Sequence, residues 1–181
     1  MWLLLFSYLF SQPFETYYIN LEKDLDNQQA MEIMLNELGY QANRFDAIYG
    51  KTLKKGEYDD HLPWFQALLP KSIIGCALSH YFVAKNHFEV NDNYALILED
   101  DTILQCPPQG IENIVQQAPA DWDIILLFLF GLSNYRDGSD WNNPDHWKLG
   151  AFTGSAAAYI INIEGYHKLY DNFKVTGHID W

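Results

Sequence analysis

Residues 94–101 read Tyr94-Ala95-Leu96-Ile97-Leu98-Glu99-Asp100-Asp101. Tyr94 to Leu98 is an unbroken apolar run of five, the mark of a strand buried on both faces of a parallel sheet. Three carboxylates follow at once. In open α/β sheets, ligands bind outside the carboxyl ends of the strands. Carboxylates side by side repel one another, so either solvent screens them or a cation neutralises them. A hard divalent ion such as Mg2+ or Mn2+ takes oxygen ligands, typically one or two carboxylates plus substrate phosphates. From the triplet alone, an acidic loop in water is the simpler reading.

The segments on either side alternate between strand and helix. Thr16–Leu21 is β-branched and aromatic and reads as a strand. Met31, Met34, Leu35 and Leu38 then recur at helical spacing, with Asp26 as the expected cap and Gly39 as the stop. Arg44–Ile48 reads as a second strand closed by Gly50, and residues 51–71 as a loop. A longer helix is expected from Ile73 to Val90, capped by Ser72. Beyond the acidic triplet, a short helix over Ile111–Gln117 precedes a strand over Trp122–Phe128. Residues 131–150 read as a loop, Ala156–Ile161 as a strand, and a last helix follows with Asn162 as its cap. This alternation predicts an α/β fold with a mostly parallel sheet flanked by helices.

The chain has 181 residues, 49% of them hydrophobic and 16% aromatic, which is enough for one domain with a real core. Lys plus Arg is 11 against 24 Asp plus Glu, a formal net charge of −13. That field excludes a nucleic-acid binder, which needs clustered cations to neutralise phosphates. It also disfavours adhesion to an anionic membrane. Polyphosphate binding through a divalent metal stays open. Neither Cys76 nor Cys106 sits in a Cys-x-x-Cys pair, and Cys76 is expected to be a small buried hydrophobe. Residues 1–15 form an apolar N-terminal extension, with a run too short to span a bilayer and no basic residue before Lys23. A signal peptide, an edge segment, an interfacial anchor and an upstream start are all open readings of it. The expected location is cytoplasmic, with peripheral association at the inner face of the membrane left open.

The segment LPKSIIGCALSHYFVAKNHFEVNDNYALILEDDTIL at 69–104 closely resembles glycosyltransferase family 25, the lipopolysaccharide-type enzymes that also include collagen galactosyltransferase domains. The resemblance rests on Gly75, Cys76, Ser79 and His80 of a Gly-Cys-x-x-Ser-His helix, and on Ile97 to Asp101 at the strand end. Tyr18–Leu21, the RFDAIYG stretch at 44–50, TGSAAAYIINIEGYHKL at 153–169 and Ile179-Asp180 are similar to further family blocks, in the same order. The likeness covers residues 16–181, taken as the family domain with its C-terminal end expected to be missing after Trp181.

The resemblance implies a glycosyltransferase A-type, Rossmann-like fold. It implies transfer of a hexose, galactose being the expected one, from a UDP-sugar to a cell-surface glycan such as lipopolysaccharide or a lipooligosaccharide. It also implies Mn2+ or Mg2+ on the pyrophosphate, where a metal stabilises the charge of the leaving group. Asp101 and Asp100 would hold that metal. Asn20, Leu21, Ala47, Gly50, Ser79, His80 and Asp100 would contact the donor. Ser79 and His80 equally suit a role anchoring their helix to the sheet. Inversion at the anomeric carbon needs a base for the acceptor hydroxyl. Asp180 is the first candidate and Glu99 the second. His178, two residues before Asp180, shares its face on an extended segment. Phe130, Tyr135, Trp141 and Trp147 suit either sugar stacking or core cover. Asn27 stands where family members carry an arginine. That departure and the end at Trp181 keep a rival reading open, a non-catalytic remnant with at most weak nucleotide-sugar binding.

Overall fold

The computed structural model describes residues 12–54, 56–62, 69–127, 156–171 and 173–175. The element order is β1 (Glu15–Asn20), α1 (Leu25–Leu38), β2 (Ala42–Asp46), α2 (Lys71–Phe88), β3 (Ala95–Glu99), α3 (Pro108–Gln117), β4 (Ile124–Leu126), β5 (Ala158–Ile161) and α4 (Ile163–Tyr170). The five strands form one sheet in the order β2-β1-β3-β5-β4. β1 pairs in parallel with β2 and with β3, while β5 runs antiparallel to both β3 and β4. The sheet is therefore mixed and mostly parallel, with helices on both faces, as the alternation of segments predicts.

Strand periodicity assigns each side chain to a face. Tyr18, Leu96, Leu98, Ala158 and Ile160 pack with Met31 and Leu35 of α1 and Ile111 of α3. Ile19, Ala95, Ile97, Tyr159 and Ile161 pack with Tyr81, Val83 and Ala84 of α2 and Tyr170 of α4. Leu96, Ile97 and Leu98 are all fully buried, which is why their stretch shows no polar alternation. By the same alternation Glu99, the last residue of β3, points toward His80 of α2, and Asp100 in the turn that follows meets Asn20 on the other side.

Several boundaries differ from the sequence reading. Asp24, not Asp26, stands at the start of α1, because its carbonyl takes the first helical bond from Gln28 N–H at 3.1 Å. Ser72 lies inside α2 instead of capping it. The helix begins two residues earlier, with Ile74 N–H bonded to the Pro70 carbonyl at 3.2 Å. β4 spans three residues only. Gly39 at φ 84° and the Asn162 cap, whose side chain accepts from Gly165 N–H at 2.8 Å, stand as expected. No described helix is long and apolar enough to cross a membrane.

Candidate functional site

The carboxyl ends of β1, β2 and β3 lie side by side, and a cleft of about 250 Å³ opens beyond them. One wall is the strand end Glu99-Asp100-Asp101. A second is the segment after β2, Ala47 to Lys51, and the third is the start of α2. Of the sequence-nominated residues, Leu21, Ala47, Gly50, Ser79, His80, Glu99, Asp100 and Asp101 all line this space.

Two glycines set how close the walls come. A Cβ on Gly75 would overlap the Ile48 carbonyl and the Gly50 backbone, and one on Gly50 would overlap the Lys71 carbonyl. Ser79 then ties the same segment to α2. Its hydroxyl accepts from Ile48 N–H at 2.8 Å and donates to the Gly75 carbonyl at 2.7 Å, with the residue 1% exposed. Ser79 thus ties the loop after β2 to α2 and also lines the cleft.

Asn20 is buried behind the wall. Its amide nitrogen donates to Asp100 Oδ2 at 2.6 Å and to the Asp24 carbonyl at 3.1 Å, and its Oδ1 accepts from Arg44 Nε at 2.9 Å. The pairing follows from register: Ile19 stands opposite Glu99, so the next residue of each strand falls together on the α1 side. Arg44 also bridges to Asp46 at 2.6 Å.

On the opposite side, His80 is 1% exposed and fully engaged. Its Nε2 lies 3.2 Å from Glu99 Oε1 and its Nδ1 3.0 Å from the Tyr159 hydroxyl. A carboxylate can only accept, which puts a proton on Nε2. The Cys76 thiol also donates to Glu99 Oε1, at 3.7 Å. The bond from His80 holds the Glu99 carboxyl below the ordinary glutamate value against the opposing effect of burial, with Cys76 adding to the lowering. A carboxylate so stabilised is a weak general base. Cys76 itself is exposed, which corrects the expectation of a buried hydrophobe. The apolar neighbours Ile74 and Ala77 face the core while Cys76 falls on the cleft side of α2.

Asp101 has the contrary shift. Partial loss of hydration, then the charges of Glu99 and Asp100, raise its carboxyl above the ordinary aspartate value. Lys51 is the one Lys or Arg among the described residues that line the cleft. The donor set on this side is therefore hard oxygen under excess negative charge, which fits a divalent cation held by Asp100 and Asp101.

Tyr49, inside the Ala47–Gly50 turn that the resemblance implies would line the nucleotide, and Lys51, which sequence reasoning did not nominate, also line the cleft. Lys23 Nζ stands 5.1 Å and Lys51 Nζ 6.0 Å from the Tyr49 ring centre. The signal was available in Tyr49-Gly50-Lys51, an aromatic and a cation flanking the turn glycine. Asp180, His178, Phe130, Tyr135, Trp141 and Trp147 lie outside the described residues, as does most of the 1–15 extension.

Comparison with known proteins places this cleft in a family context. A family model described as glycosyltransferase family 25 (LPS biosynthesis protein) matches residues 14–180. Procollagen galactosyltransferase 1-A of Xenopus laevis is 30% identical over 128 residues, 62% of this chain and 21% of that protein. A glycosyltransferase 25 family member of Drosophila melanogaster is 28% identical over 169 residues, 83% of this chain and 26% of its own length. The "Probable inactive glycosyltransferase 25 family member 3" of Bos taurus is 24% identical over 168 residues, 86% of this chain and 28% of its own. The matched region thus spans 21–28% of the length of these relatives. With a family match running almost from end to end, the chain belongs to glycosyltransferase family 25.

Proposed function

We propose that this domain transfers a hexose, galactose in the first instance, from a UDP-sugar to a glycan acceptor such as lipopolysaccharide. One observation carries the reading: the acidic strand end, the Ala47–Lys51 segment and the start of α2 close on one cleft at the carboxyl edge of the parallel strands. Names among the relatives support galactose as the sugar, and the family description supports a lipopolysaccharide acceptor. A cytoplasmic site of action at the inner face of the membrane belongs to the same proposal.

Asp100 and Asp101 would hold Mn2+ or Mg2+, which when bound offsets the charge that develops on the departing diphosphate. Asn20 fixes the Asp100 carboxylate, and Arg44 fixes Asn20 from behind. Lys51 adds a cation to the same cleft, and the Tyr49 ring offers a face for the base. Ser79 and Gly75 hold the loop that carries these groups. Glu99 is committed to His80 and Cys76, so its task is orientation, and Asp180 is the proposed base for the acceptor hydroxyl.

The test is hydrolysis or transfer of UDP-galactose with Mn2+, compared with Asp101→Ala. Activity that is equal in both sinks the metal role. A second reading, a non-catalytic remnant, draws on Asn27, exposed in α1 at the place where the family resemblance implies an arginine, and on a relative named as probably inactive. Calorimetric titration with UDP and Mn2+ separates the two: binding without turnover favours the remnant.

A further inference from the structure

We propose that Cys76, His80 and Glu99 form a second cation site, softer in its chemistry than the Asp100–Asp101 pair, that takes Zn2+ in the wall of the cleft. Cys76 and His80 are four residues apart on α2 and so share one helical face, the spacing by which a helix presents two ligands to one metal. Glu99 meets them from the end of β3. One ligand atom from each of the three lies within 4.8 Å of the others. Zinc takes nitrogen and carboxylate oxygen at about 2.0–2.2 Å and sulfur at about 2.3 Å in a tetrahedron, so adjacent ligands stand roughly 3.3–3.8 Å apart. Here Nε2 and Oε1 are 3.2 Å apart and Sγ and Oε1 3.7 Å apart. Two of the three separations thus lie close to those of a common ion, and the third, Sγ to Nε2, is within 4.8 Å.

The surroundings suit that ion as well. A zinc-bound imidazole is generally oriented by a partner on its other nitrogen. Tyr159, fully buried and opposite Ile97 in the sheet, meets His80 Nδ1 at 3.0 Å. A hydroxyl both donates and accepts, so Tyr159 serves His80 with the proton on either nitrogen. Cys76 is exposed toward the cleft, which gives the ion a way in and leaves the fourth position to water. On binding, the thiol proton leaves to solvent, the imidazole proton resides on Nδ1, and Sγ, Nε2 and Oε1 become the ligands. A thiolate and an imidazole select Zn2+ over Mn2+ or Mg2+, which prefer the all-oxygen pair Asp100 and Asp101. If Asp100 and Asp101 hold the metal of the proposed transfer, two cations of different hardness have places in the lining of one cleft.

The experiment uses the full chain stripped of metal. Zn2+ uptake is titrated against a chromophoric chelator, and Co2+ is added as a spectroscopic stand-in. The proposal expects one equivalent of Zn2+ and a thiolate-to-Co2+ charge-transfer band. Cys76→Ser, an exposed position whose change leaves the core intact, loses the band and weakens Zn2+ binding by about a hundredfold. Cys106→Ser and Asp101→Asn keep the band. No stoichiometric uptake, uptake without the band, or a band that survives Cys76→Ser overturns the proposal. None of these readouts requires sugar transfer, so the site and the transferase reading fail separately.

Discussion

The side-chain amide of Asn20 donates to the Asp100 carboxylate at 2.6 Å, joining the ends of the first and third strands. Arg44 grips the other end of the same amide. Asn20→Asp keeps the shape and the Arg44 contact but sets a second carboxylate against Asp100. The fold is expected to persist, and Mn2+-dependent UDP binding to weaken about 10- to 100-fold. Calorimetry with and without Mn2+ checks this, and unchanged affinity denies Asn20 its positioning role.

Ser79 satisfies the Ile48 N–H from inside the core. Ser79→Ala leaves that donor without its partner, at a cost of about 1–3 kcal/mol. Urea unfolding should show a lower midpoint with an unchanged slope. An unaltered midpoint means that the loop finds another acceptor.

Gly75→Ala drives a methyl group into the Ile48 carbonyl and the Gly50 backbone. These are backbone atoms of the cleft wall and give way only by moving it. We expect a loss of about 1–3 kcal/mol, as for other overpacked sites, with weaker nucleotide binding alongside. Thermal unfolding and UDP titration of the same variant read the two effects.

Burial pushes the His87 imidazole below the ordinary histidine value of 6.5, although the Asn93 carbonyl and the charge of Glu15 oppose it. The folded protein therefore holds this site neutral where the unfolded chain takes up a proton. Its contribution to stability is whole above the ordinary value and is lost as pH falls through the lowered folded value. Between about pH 7.5 and about pH 5.5 the wild type should lose more stability than His87→Gln. Equal losses in thermal melts contradict this assignment.

Much of this was legible in the sequence for an identifiable reason. Tyr94 to Leu98 has no polar position because β3 is covered on both faces, and that run announces a central strand. The glycines, Ser79 and the acidic triplet were visible as motif residues. Asn20 was nominated to contact a ligand, whereas it sits one layer behind, because its neighbour Asp100 is set by a register no local pattern shows. Cys76 misled for a related reason. Its neighbours are apolar, yet one step around the helix turns it to the cleft. Lys51 was missed because the path of its loop depends on where α2 lies, a long-range contact through Gly50 and Lys71.

Partial loss of hydration, and after it the charges of Glu99 and Asp100, hold the Asp101 carboxyl above its ordinary value. Its protonated form favours the fold, so that contribution is present below the ordinary aspartate value and lost as pH rises through the raised one. Without added metal, Asp101→Asn should thus melt slightly higher at neutral pH, on the order of 1 °C given solvent screening, and no higher in strong acid.

The most direct measurement is the transfer rate from UDP-galactose to a lipooligosaccharide acceptor with and without Mn2+, in wild type and in Asp101→Asn. The account predicts Mn2+-dependent turnover in the wild type and a loss of at least about a hundredfold in the variant, in line with removing a group that supports charge in the transition state. Turnover that needs no divalent cation, or that survives Asp101→Asn undiminished, contradicts it.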